Sequence, residues 1–129
     1  MAGYSPRPRL DKLGVKPGMR VAIVGLDDPA FRRELAARAG AVSEGRLRRE
    51  TDLIFFALDR PAALARLARL EPALKRNGAI WAIWPKGRKE LTENMIRDAA
   101  IARGLVDVKV VAFSATLSGL KLVIPVARR

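Results

Sequence analysis

The chain has 129 residues, half of them hydrophobic, with 25 Lys plus Arg against 13 Asp plus Glu and a formal charge of +12. That length suits one domain, residues 1–129, with a real core, and the composition excludes an intrinsically disordered chain. Cysteine and histidine are both absent, which excludes disulfides, thiolate and imidazole metal ligands, cysteine nucleophiles and any His-dependent triad.

Residues 1–12 read as an extended N-terminal arm. Met1 to Arg9 holds Pro6, Pro8, Gly3 and Ser5, and only Leu10 to Leu13 suggests a helical turn. Tyr4, the one tyrosine, is expected to pin the arm to the body through its ring. No apolar signal region and no run of membrane-spanning length occurs, so a cytoplasmic protein without a membrane span is expected.

Lys16-Pro17-Gly18 is a turn signal, because proline presets a turn corner and glycine takes positive φ freely. Arg20 to Leu26 follows as a short apolar run rich in β-branched residues, the pattern of a strand buried on both faces. Gly25 closes it. Asp27-Asp28-Pro29 then offers a helix cap with proline in the first turn. The helix runs to Ala39, with Phe31 and Leu35 inward and Gly40 as its stop. Ala41 to Arg49 holds a short strand somewhere within it.

Leu53 to Leu58 is a second continuous apolar run. Asp59-Arg60-Pro61 starts a helix with Asp59 or Arg60 at the cap. Its stripe is Leu64, Leu67, Leu70 and Leu74; Arg66 and Arg69 lie off it. Pro72 should kink or divide this helix, and Asn77-Gly78 ends it. Ala79 to Trp84 is the third clear strand, closed by Trp84-Pro85-Lys86-Gly87. Thr92 starts the next helix, which runs to about Arg103 with Gly104 as its stop. Val106 to Phe113 and Leu120 to Val126 are two strands joined so tightly that they must be antiparallel neighbours.

This order predicts an α/β fold: a three-layer, Rossmann-like sandwich with a mostly parallel sheet and a C-terminal antiparallel strand. The lead LGVKPGMRVAIVG and the closing helix and hairpin resemble class I methyltransferase domains. That resemblance implies a glycine-rich loop after the first strand, for S-adenosylmethionine, and an acidic residue ending the second strand, for the ribose hydroxyls. Here Gly25 is followed by Leu26-Asp27-Asp28-Pro29, which counts against the cofactor, and Glu44 is the nearest acid. The space before Thr51 is too short for the usual second and third strands, so a truncated sheet is expected. More closely, AGYS at Ala2 to Ser5, KLGVKPGMRVA, the Trp84-Pro85-Lys86 corner, LTENMIRDAAIARGLVDVKV and SGLKLV at Ser118 to Val123 resemble a family of short bacterial proteins of unknown function. That resemblance implies an α/β protein with no catalytic residue to carry over.

Ligands in such folds bind at the carboxyl ends of the strands. The candidate rim is therefore Gly25, Asp27, Asp59, Trp84 and Lys86, joined by Ser114, Thr116 and Ser118 from the last turn. The aspartates also suit helix caps, and Lys86 with Arg88 and Lys89 also suits a solvated loop. Trp81 and Trp84, three apart on a strand, must point to opposite faces. Trp81 suits the core, and Trp84 either stacks on a planar group or covers the core edge. The reading from sequence is a non-catalytic binding or interaction module with a polyanion or protein partner. Two alternatives stand beside it: an S-adenosylmethionine-dependent methyltransferase with a degenerate cofactor loop, and a basic nucleic-acid-associated protein, since +12 attracts polyanions.

Overall fold

One six-stranded sheet organises the described part of the chain, residues 8–129 of the computed structural model. Tyr4 and the phrase AGYS lie outside the described residues. The strands are β1 (Arg20–Val24), β2 (Ala41–Glu44), β3 (Thr51–Ala57), β4 (Leu74–Pro85), β5 (Val106–Ala112) and β6 (Leu117–Val123). Their order across the sheet is β2-β1-β3-β4-β6-β5. β2, β1, β3 and β4 are parallel neighbours, and β6 runs antiparallel between β4 and β5. This is the expected α/β, Rossmann-like sheet with its antiparallel return.

The continuous apolar runs have the cause inferred for them: both faces of the central strands are covered. Val21, Ile23, Leu53, Phe55, Trp81 and Ile83 pack under α1 (Arg9–Leu13) and α2 (Pro29–Arg38). Ala22, Ile54, Phe56, Ile80, Ala82 and Trp84 pack under α3 (Leu67–Leu70) and α4 (Glu93–Ala102). The two tryptophans thus enter opposite cores, as their spacing requires. On the first face Phe31 meets Phe55 and Phe113 edge to face at 5.0 and 4.8 Å. The Arg9 guanidinium covers Phe31 and Phe113 from 4.9 and 4.8 Å and pairs with Glu34 at 2.6 Å.

Local chemistry sets most boundaries. Pro17 and Gly18, with φ +84° at the glycine, close a turn through the Met19 N–H to the Lys16 carbonyl, 3.2 Å. Asp28 caps α2 by accepting from the Phe31 N–H at 3.0 Å, and Thr92 caps α4 by accepting from the Met95 N–H at 3.2 Å. Gly104, φ +80°, stops α4.

Three expectations need correction. Gly40 is not a left-handed helix stop: α2 ends on extended Ala39. Gly40 is instead where the chain passes the Pro17-Gly18 turn, and a Cβ there would lie 2.9 Å from the Gly18 carbonyl oxygen. The segment after β3 is broken at Pro72, as expected, but it is no regular helix before that point either. It is a 3-10 turn (Pro61–Arg66), the single turn α3, and a second 3-10 turn (Glu71–Ala73). Its start carries no side-chain cap, with Arg60 at that position rather than Asp59. Pro72 lacks an N–H and clashes with the preceding turn, so no regular helix runs through it. Nor does Asn77-Gly78 end it, because β4 already begins at Leu74. A Cβ on Gly78 would lie 2.5 Å from the Asp52 carbonyl oxygen, so this glycine permits close strand approach beside the irregular register at Thr51 and Leu53. Leu74 still packs with Leu67 and Leu70.

Candidate functional site

β1 ends at Val24, and Gly25 turns the chain with φ +77°. A Cβ at Gly25 would lie 2.8 Å from the Ala57 carbonyl oxygen at the end of β3. Only glycine satisfies both the left-handed backbone and this approach. Two clefts meet here. The first, about 420 Å³, lies over the ends of β1, β3 and β4 and is lined by Leu26, Ile83, Pro85 and Leu117 together with Asp59, Arg60 and Ala63. The second, about 520 Å³, lies over β1 and the loop after β2, between Val24, Leu47 and Leu70. Gly25 and Arg66 border both. The Arg66 Nη1 would stand 3.9 Å from a Gly25 Cβ, so its guanidinium stands at the junction. Arg69 borders the second cleft.

Of the expected rim, Gly25 and Asp59 line the clefts. Asp27 is exposed and outside the lining, while its neighbour Asp28 is spent on the α2 cap. Trp84 is not a stacking platform: it is buried in the core on the α3 and α4 side, because β4 continues past it and pairs Pro85 with Leu117. Lys86 is exposed, and its N–H donates to the Thr116 carbonyl at 2.9 Å. Ser114 holds the β5–β6 turn, accepting at Oγ from the Thr116 and Leu117 N–H groups at 3.2 and 3.1 Å. Ser118 pairs across to Trp84 and Ala112. These four build the turn beside the cleft rather than its wall. Arg88 is tied down by donating to the Asp59 carbonyl at 3.2 Å, with Glu90 3.6 Å away.

Pro85 lines the cleft as its place at the end of β4 suggests, and Arg60, Arg66 and Leu117 line it without having been singled out for it. Helical spacing put Arg66 off an apolar stripe. A 3-10 turn advances about 120° per residue rather than about 100°, which re-aims that side chain. The bracketing prolines were the available signal. Glu44 is the last residue of β2, opposite Ile23 of β1, and it is held by an ion pair from Arg32 of α2. Among the described residues no group of three or more carboxylates is placed to hold a metal ion, and no helix is long and apolar enough to cross a membrane.

The geometry defines a class: a Rossmann-like sheet of methyltransferase type, with its clefts at the carboxyl ends of the parallel strands. No protein-family model matches the chain, and no curated protein matches it. Solved structures do. A SAM-dependent methyltransferase from Aquifex aeolicus superposes with a TM-score of 0.71 at 15% identity, over 90% of this chain and 87% of that one. A putative methyltransferase from Thermoplasma acidophilum gives 0.68 at 10% identity, over 98% and 77%. A putative type 11 methyltransferase from Sulfolobus solfataricus gives 0.66 at 13% identity, over 89% and 88%. The chain therefore has a class I methyltransferase-like fold.

Proposed function

We propose that the protein binds S-adenosylmethionine along the two clefts that meet at Gly25, and that methyl transfer is its activity. The observation that carries this reading is the junction itself: a glycine-only turn at the end of β1, a cleft on each side with apolar residues in its lining, and one guanidinium beside it. The residues fit the ligand's parts. Val24, Leu47 and Leu70 suit a planar base. Arg66 suits a carboxylate. Glu44 ends β2, where a ribose acid belongs in this fold, although Arg32 holds its carboxylate. When bound, the ligand supplies an activated methyl group; the chain's own part is to hold and orient it and to exclude water.

Calorimetry with S-adenosylmethionine and its demethylated product tests this. Binding in the wild type, weakened about ten- to a hundredfold by Arg66→Ala, is the expected result for loss of a charge-assisted pair. No binding at millimolar ligand overturns it. The non-catalytic module then stands, favoured by the Asp27-Asp28-Pro29 cap that occupies the place of a glycine loop. Membership of a family of short bacterial proteins of unknown function, and a cytoplasmic location, would accord with either reading.

A second reading rests on Arg60, Arg66 and Arg69, which have no ion pair among the described residues and border these clefts. They suit a polyanion such as nucleic acid. Anisotropy of a labelled duplex should then fall steeply as salt rises, because phosphate contacts release counterions. Absence of binding at low salt removes this reading.

A further inference from the structure

The opposite edge of the sheet holds a separate cavity that the methyltransferase reading does not use. It encloses about 410 Å³ beside the starts of β3 and β4 and the end of β6. Its apolar wall is Met19, Leu53, Val108 and Val123, and its basic groups are Lys16, Lys121 and Arg129. Lys121 is the centre of this arrangement. It stands in one cross-strand row with Trp81 of β4 and Lys109 of β5. Like charges directly opposite on neighbouring strands destabilise a sheet, so such a pair calls for a reason.

Among the described residues no acid pairs with either lysine. Lys109 donates from Nζ to the Lys12 carbonyl at 3.2 Å, at the end of α1. Lys121 is half-buried and has no hydrogen bond or ion pair among the described residues. The one acid in the cavity wall is already engaged: Asp52 accepts from the Arg20 N–H at 2.9 Å and faces the Lys75 ammonium at 3.6 Å. Arg129 is anchored through Nε to the Ile124 carbonyl at 2.9 Å. The cavity thus presents unneutralised cations over an apolar wall.

We propose that this cavity binds a small organic phosphate, its dianionic head on Lys121 between Lys16 and Arg129 and its apolar part on Val108 and Val123. A dianion matches several cations better than a single carboxylate does, and it turns the Lys109–Lys121 repulsion into shared attraction. Burial first, and the neighbouring Lys109 charge second, hold the Lys121 pKa below its ordinary value. Lys121 gains its proton as pH falls, so affinity for the dianion declines as pH rises through that lowered pKa, and it falls again below about pH 6, where the phosphate itself takes up a proton. Lys109 repels that proton; Lys16, Arg129 and Asp52 are the other charged side chains lining the cavity.

The test uses calorimetry with butyl phosphate, inorganic phosphate, butyrate and butanol. Butyl phosphate should bind severalfold more tightly than inorganic phosphate, and butanol should not bind. Lys121→Gln should weaken butyl phosphate about ten- to a hundredfold, whereas Lys86→Gln, at the other edge, should leave it unchanged. Lys16→Gln, on an exposed turn, should also weaken it and keeps the test open if the Lys121 variant fails to fold. Butyrate binding as tightly as butyl phosphate overturns the choice of phosphate. No binding by the wild type, unchanged affinity in the lysine variants, or equal loss in Lys86→Gln overturns the site. S-Adenosylmethionine binding should be indifferent to Lys121→Gln, which separates this outcome from that of the methyltransferase reading.

Discussion

At the C-terminal edge of the sheet the basic groups at the clefts are arginines carried on short turns. At the other edge they centre on a lysine anchored in the middle of β6. The first edge is shaped by backbone: Gly25 has no room for a side chain, and Asp28 and Thr92 fasten the helices that follow the strands. The second is shaped by charge: Lys109 and Lys121 stand opposite each other, and among the described residues neither has an ion pair. The difference teaches where substitutions should hurt. A site built from backbone contact fails abruptly. A site built from unneutralised charge costs stability while empty and should gain when it is relieved.

The largest effect expected is at Gly25. Gly25→Val combines a left-handed φ with a β-branched side chain against the Ala57 carbonyl, and should cost about 3 kcal/mol in urea unfolding. Gly45 sharpens the point. Its φ is +71°, yet nothing lies within 4 Å of a Cβ there. Gly45→Ala should therefore cost only about 1 kcal/mol, the backbone part alone. Equal losses for Gly25→Ala and Gly45→Ala would mean that contact with β3 contributes nothing.

Trp81→Phe comes next, on the lysine side. The indole Nε1 donates to the Leu13 carbonyl at 3.0 Å and fixes α1 over the sheet. Losing that bond and part of a buried ring should cost about 2 kcal/mol. Asp28→Ala follows at about 1 kcal/mol, the usual worth of a helix cap, and Thr92→Ala should match it. Thermal melts of the two cap variants that differ widely would show that one helix contributes little to the folded state.

Much of this was legible in the sequence because it depends on neighbours along the chain. The β1, β3 and β4 runs, the Asp28 and Thr92 caps and the Pro17-Gly18 turn follow from local patterns, and the antiparallel return of β6 from a short connection. The site was legible only as a place. Gly25 and Asp59 line it, but Trp84 went to the core, and Arg66 entered because a proline-bracketed segment folds as 3-10 turns. Gly40 and Gly78 mark close approaches to Gly18 and Asp52 that no local pattern encodes. The Lys109–Lys121 pair was equally hidden. It depends on cross-strand register, and the register around Val108 is irregular.

Lys121→Met is the smallest change and should run the other way. In the folded protein burial and Lys109 disfavour the Lys121 charge, so its pKa lies below the ordinary 10.5. The unfolded chain pays neither penalty. Below the lowered pKa the folded state therefore carries an unfavourable proton, and stability is reduced. As pH rises through that pKa the folded state sheds the proton before the unfolded state does, and stability recovers. Methionine keeps the stem and removes the charge, so Lys121→Met should melt higher than the wild type at neutral pH. The gap should narrow as pH approaches 10.5. Butyl phosphate should close it from the other side at neutral pH, raising the melting temperature of the wild type and not of the variant. A variant that melts lower than the wild type at neutral pH would show that the lysine is neutralised in solution and that the charge at this edge is no strain at all.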